Sequence, residues 1–253
     1  MAFYGKYNRR RNYRRGRGRL SNRVVFGKTS AKSQAKQIAT LRNRINRVYK
    51  KTRPEIKNIL GSAIKHSFSS GALSNVWYSG VFPMPVLNSG KDNGMVGNYC
   101  KPISLQLNGT IEYYNNSNTG YHDSESAGCM ARVIIVQRKT PEDYTTNHEL
   151  SEFIPNPSNT GAEYTTMAVK PLQTGITENW RVLCDKKFIL TSDKNQKIFR
   201  IRVKPRPLRF NNENSNIFNY CKFIVIAAGL HFDENFKEYL EFTEYVKMSY
   251  TDA

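Results

Sequence analysis

MARVIIVQ at residues 130–137 and FIVIAAGL at residues 223–230 decide the fold. Each is a continuous apolar run of strand length, rich in β-branched residues and too short for a buried helix. Such runs read as strands covered on both faces or packed at the centre of a sheet. Around them the pattern has a period of two. SLQLN at 104–108, IEY at 111–113 and FRIRVK at 199–204 alternate apolar with polar residues, as half-buried strands do. Further strands are expected near residues 73–82, 162–169, 181–184, 188–191 and 243–250, about eight in all.

The connections between these strands are long and polar. Residues 83–98, 115–128, 140–160 and 205–216 are dense in Asn, Gly, Ser and Pro, and they exceed the two to five residues of an ordinary hairpin. There is no βα alternation and no internal repeat. Long loops joining few strands suit a Greek-key sandwich, and eight strands suit a jelly roll. The expected fold is therefore all-β: a single eight-stranded antiparallel jelly roll spanning residues 66–253, preceded by a basic, partly helical N-terminal arm over residues 1–65. An immunoglobulin-like sandwich of roughly 100 residues would be too small for this stretch.

The arm is defined by charge. The 253-residue chain has 39 Lys+Arg and 20 Asp+Glu, net +19. Residues 1–65 hold 20 of the cations and one acid, Glu55, so the remainder nets zero. A segment with that self-repulsion calls for a polyanion, and nucleic acid is the matching partner. Within it Lys6, Arg9, Arg10, Arg11, Arg14, Arg15, Arg17 and Arg19 are interleaved with Tyr7, Tyr13, Gly16 and Gly18. Guanidinium groups hold phosphates bidentately, tyrosine rings stack on bases of any identity, and glycines let the backbone follow an irregular strand. Arg23 and Lys28 extend the tract. The cluster Arg9, Arg10, Arg11, Arg14 and Arg15 also has the composition of a nuclear localisation signal.

Residues 30–52 read as an amphipathic helix. Ile38, Leu41, Ile45 and Val48 recur at spacings of three and four, while Lys32, Lys36, Arg42, Arg44, Arg47, Lys50 and Lys51 occupy most of the remaining surface. Arg53-Pro54 ends the pattern, because proline disfavours the α conformation in the residue before it. The stripe suits docking on the domain, or a helix that orders on nucleic acid or on neighbouring subunits.

Reactive constellations are missing from the pattern. His66, His122, His148 and His231 are scattered, and no Cys/His pair has zinc spacing. No phosphate-binding glycine loop or nucleophile elbow is present. Glu142-Asp143 and Asp233-Glu234 read as turn residues or subunit contacts. No catalytic residue, metal or other cofactor is expected. Cys100, Cys129, Cys184 and Cys221 are too widely spaced for a redox or metal pair and read as free buried thiols. The first twenty residues carry cations without an apolar run behind them, so a reducing compartment is expected. The sequons at Asn108 and Asn115 then read as strand and turn residues. No run approaches the roughly 20 apolar residues of a membrane span, and no membrane partner is expected.

The layout resembles the capsid proteins of small circular single-stranded DNA viruses of the circovirus-like type. The residues that carry it are the Arg-rich N-terminus, the basic segment ending Arg53-Pro54-Glu55-Ile56-Lys57, and WRVLCDKKFIL at residues 180–190. The last is similar to a W-x-V-L-x-D-K-x-F-x-L segment that recurs in such proteins. Taken without the family, Val182, Phe188 and Leu190 would be core positions, and Asp185-Lys186-Lys187 a tight turn between two strands. The resemblance implies a virion protein, sixty copies of which form an icosahedral T=1 shell with the arm turned onto single-stranded DNA. It implies entry into the host nucleus through host import machinery, and loops that meet a surface receptor. Sixty such arms would neutralise on the order of a thousand phosphates. Two other readings share these features: the capsid protein of a small RNA or satellite virus, and a cellular nucleic-acid-binding β-sandwich protein.

Overall fold

The computed structural model describes residues 30–51, 55–69, 72–87, 94–95, 99–117, 128–158, 161–210, 219–230 and 236–252. Two units divide the chain, residues 1–53 and residues 54–253. In the first, Ala31–Lys51 is a helix. The second is a β-sandwich. Its sheets begin at Ile56, ten residues before the boundary that the charge distribution suggests. Charge and fold change at different points because Lys57 and Lys65 lie on strands of the sandwich.

In chain order the strands are β1 (Ile56–Leu60), β2 (Ile64–Ser69), β3 (Trp77–Val81), β4 (Val86–Leu87), β5 (Gly94–Met95) and β6 (Tyr99–Ser117). They continue as β7 (Cys129–Arg138), β8 (Trp180–Leu190), β9 (Gln196–Val203), β10 (Leu208–Arg209), β11 (Cys221–Ala228) and β12 (Phe236–Asp252). The first sheet is built on β12 and β6, paired from Phe236↔Ser117 to Asp252↔Cys100; β1 and β2 flank β12, and β9 and β10 flank β6. The second sheet has the order β3-β11-β7-β8. Both are antiparallel, and β4 and β5 form a short parallel pair apart from them.

With β1 and β2 counted as one interrupted strand, eight principal strands remain. They pair first with last (β1/β2 with β12), second with seventh (β3 with β11), third with sixth (β6 with β9) and fourth with fifth (β7 with β8). That is the pattern of a long antiparallel hairpin wrapped into two sheets, the jelly roll. The expected fold class is what the chain adopts.

Aromatic rings join the sheets. The His66 ring stacks on Tyr78 across the interface with centroids 3.5 Å apart, and Phe199 lies 5.6 Å from Phe188 and 5.5 Å from Phe242. The runs that decide the fold are buried on both faces because residues 139–179, the connection from β7 to β8, cover the outside of the second sheet. From β7, Arg132 donates to the Lys170 carbonyl at 2.6 Å; from β11, Lys222 donates to the Thr146 carbonyl at 2.7 Å. Leu150, Phe153, Ile154, Met167 and Ala168 of this layer are buried.

Three expectations are corrected. Residues 162–169 are not a strand: Gly161–Thr166 is helical, and Tyr164, Met167 and Ala168 are buried at the i, i+3, i+4 spacing of a helix. Residues 104–108 and 111–113 belong to one strand, β6, which runs through Gly109. Residues 185–187 are not a turn. Strand β8 continues through them, with a bulge where Ile135 pairs with Cys184 but Val136 with Val182. The charged triplet lies in an edge strand, where lysines are tolerated and shield an open backbone.

Candidate nucleic-acid interface

Lys6, Arg9, Arg10, Arg11, Arg14, Arg15, Arg17, Arg19, Arg23 and Lys28, with Tyr7 and Tyr13, lie outside the described residues. Arg42, Arg44 and Arg47 are exposed on the helix, whose last turn contains Lys50 and Lys51. At 100° per residue, Ile38, Leu41, Ile45 and Val48 fall within an arc of about 80°, and the seven basic residues spread over the opposite side. The helix holds no acid. Within its own unit nothing described covers the apolar stripe.

The compact unit hides a second concentration of charge. Residues 54–253 hold 21 Lys+Arg and 20 Asp+Glu, net +1. Residues 180–210 alone carry ten basic residues against Asp185 and Asp193, net +8, so the rest of the unit nets −7. These residues form β8, β9 and β10, the strands along one lateral edge of the sandwich. Whole-domain charge arithmetic conceals this edge because the acids elsewhere cancel it; a sliding window of net charge would have found it.

Two buried side chains of the second sheet and its covering layer, Arg132 and His148, are paired across elements. Arg132, fully buried, makes a bidentate pair with Asp185, Nε to Oδ1 at 2.8 Å and Nη2 to Oδ2 at 2.7 Å. Its partner is the first residue of the expected turn. His148 is also buried. Its Nδ1 lies 3.0 Å from the Glu152 carboxylate, and its Nε2 lies 2.9 Å from the Tyr220 hydroxyl and 3.2 Å from Glu142. Tyr220 donates to Glu142 at 3.1 Å, and burial together with Glu142 raises its pKa. The Arg138 guanidinium pairs with Glu142 and stacks over Trp180. Glu142 is thus an internal anchor rather than a turn residue, whereas Asp143 does cap a turn, accepting from the Thr145 amide at 2.9 Å. This network fastens the covering layer to the sheet, and it draws on residues too far apart in sequence for spacing to signal it.

The cysteines are free thiols, three buried and Cys184 half-buried; burial pushes Cys129 up to about 12. Among the described residues no group of three or more His, Cys, Asp or Glu side chains is placed to hold a metal ion. No helix among them is long and apolar enough to cross a membrane.

No known protein family matches the sequence, and no curated protein matches it. Among solved structures the chain is similar to the decameric BFDV capsid protein, at 9% identity and a TM-score of 0.31, over 77% of this chain and 99% of that one.

Proposed function

We propose that this chain is a viral capsid protein that assembles into a small icosahedral shell and packages single-stranded nucleic acid through its N-terminal arm. The separation of charge carries this reading. Residues 1–53 hold 18 Lys+Arg and no acid, ahead of a jelly roll that nets +1. A tail of that charge condenses a polyanion by pairing with phosphates and releasing counterions, without reading sequence. Arg9, Arg10, Arg11, Arg14, Arg15, Arg17 and Arg19 bind phosphate in this scheme, Tyr7 and Tyr13 stack on bases, and the arginine cluster doubles as the nuclear import signal. The protein's role is structural rather than enzymatic.

Self-assembly has its own support in the sandwich edges. Ile56, Leu60 and Ile64 of β1 and β2 and Ile189 of β8 are exposed, Ile189 by 67%. Aliphatic side chains on edge strands are a liability in a monomer and are suited to burial between subunits. Deleting residues 1–29 tests the packaging step. Shells of the truncated protein are expected to purify with the absorbance ratio of protein alone, whereas full-length shells carry nucleic acid; undiminished nucleic acid after the deletion refutes the arm's role. Sensitivity of the released cargo to DNase or to RNase then separates the DNA-virus reading from the RNA-virus one.

A further inference from the structure

The outward side chains of the first sheet form cross-strand rows. Arg200 of β9 lies opposite Asn108 of β6, which lies opposite Tyr245 of β12; in the next row Arg202, Gln106 and Lys247 are aligned in the same way. Neighbouring strands are about 4.8 Å apart, so each row spans on the order of 10 Å. Arg200 and Arg202 are exposed, and the Tyr245 ring is 37% exposed. The Arg200 guanidinium donates to Gln106 Oε1 at 3.2 Å, which inclines it along the face. Beneath the rows, Leu105, Leu107, Ile201 and Val246 are buried, so the platform rests on the core.

We propose that this face is a second binding site for single-stranded nucleic acid, in which Arg200, Arg202 and Lys247 hold phosphates and Tyr245 stacks on a base. The inference rests on the packaging reading above and adds a site within the folded domain. Charge complementarity selects the occupant. Arg200 and Arg202 belong to the edge that carries +8, Lys247 adds a cation from β12, and these two rows contain no acid. The carboxylates further along are engaged: Glu241 pairs with Lys65 at 2.7 Å, and Glu112 accepts from Gln196 at 2.7 Å and from Tyr114.

A groove of about 510 Å³ runs beside Tyr245 and Arg200, lined also by Asn108, Thr110 and Ile198. Asn108, between Arg200 and Tyr245, lines the groove, and its buried Oδ1 has no hydrogen-bond partner among the described residues. Glu244 lines the groove too, and burial raises its pKa to about 8, so it is largely uncharged at neutral pH. An exposed ring beside guanidinium groups on a rigid sheet is how sequence-tolerant single-strand binding is built.

The test is photocrosslinking of the full-length protein to a bromodeoxyuridine-substituted single-stranded oligonucleotide, with crosslinked peptides mapped by mass spectrometry. Crosslinks are expected at Tyr245 as well as on the arm. A variant with Arg200→Ala, Arg202→Ala and Lys247→Ala should lose the Tyr245 crosslink and keep those on the arm. Its plot of log affinity against log salt should be shallower by about two, three phosphate contacts at about 0.7 each. Arm crosslinks with none at Tyr245 in the unaltered protein overturn this inference and leave the packaging reading standing. No crosslink anywhere overturns both. A triple variant that keeps the crosslink and the salt slope but loses self-association makes the face a subunit interface, which also overturns the inference.

Discussion

Replacing Asp185 by alanine should destabilise the sandwich more than replacing its partner Arg132 by methionine. The Arg132 side chain is 2% exposed and has three partners, the two Asp185 oxygens and the Lys170 carbonyl; Asp185 is 28% exposed. Asp185→Ala strands a buried cation with one acceptor. Breaking a buried pair in this way costs about 3–5 kcal/mol, and water admitted at the Asp185 side places this case near about 3 kcal/mol. Arg132→Met leaves a carboxylate that can turn to solvent, fills the space with apolar atoms and forfeits the Lys170 bond, at about 1 kcal/mol. In urea unfolding followed by fluorescence of Trp77 and Trp180, with a slope of about 3 kcal/mol per molar, the aspartate variant should lose about 1 M in midpoint and the arginine variant about a third of that. Equal costs, or a cost below about 0.5 kcal/mol for Asp185→Ala as at an exposed turn, would refute the buried-pair reasoning.

Three further outcomes are expected. Glu244 is 3% exposed, and burial raises its folded pKa to about 8 from an ordinary 4.5; the folded state therefore binds the proton more tightly, and stability rises as pH falls from 8. Between pH 8 and 6.5 the gain is about 1–2 kcal/mol. Below that, His66 opposes it, since burial lowers its pKa and protonation favours unfolding. Melting temperatures of Glu244→Gln should be flatter across this window, and an unchanged slope counts against the assignment. Gly109→Ala would set a Cβ 2.0 Å from the Thr243 carbonyl oxygen in the partner strand, so the β6–β12 ladder must shift, lowering stability by about 1–3 kcal/mol in the same urea assay. Changing Ile38 and Ile45 to Asp should disturb assembly, read by sedimentation, while the circular-dichroism melt of the sandwich stays in place; loss of that melt would make the helix part of the core.

The central strands were legible because residues 130–137 and 223–230 are buried on both faces, which writes a continuous apolar run into the sequence. Strand β9 was legible for the opposite reason: Phe199 and Ile201 face the core, Arg200 and Arg202 face out, and the alternation is unbroken. Strand β8 misled because an edge strand tolerates Asp185-Lys186-Lys187, and because Asp185 finds its partner on a strand some fifty residues earlier in the chain. The short helix at Gly161–Thr166 was obscured by Thr165 and Thr166, which favour strands when read locally, while packing of Tyr164 and Met167 decides otherwise. Of the candidate sites, the arm rests on composition alone, its tract up to Lys28 lying outside the described residues. The basic edge was concealed by cancellation, and the His148 network by distance along the chain.

The central claim is that the chain closes into a shell around nucleic acid. Electron microscopy of the purified full-length protein, after nuclease treatment at moderate salt, tests it most directly. Uniform closed spherical particles are expected; sixty chains of 29.1 kDa would give a protein mass of about 1.7 MDa in sedimentation. Monomers or irregular aggregates across a range of salt concentrations would contradict the account and leave a nucleic-acid-binding β-sandwich protein in its place.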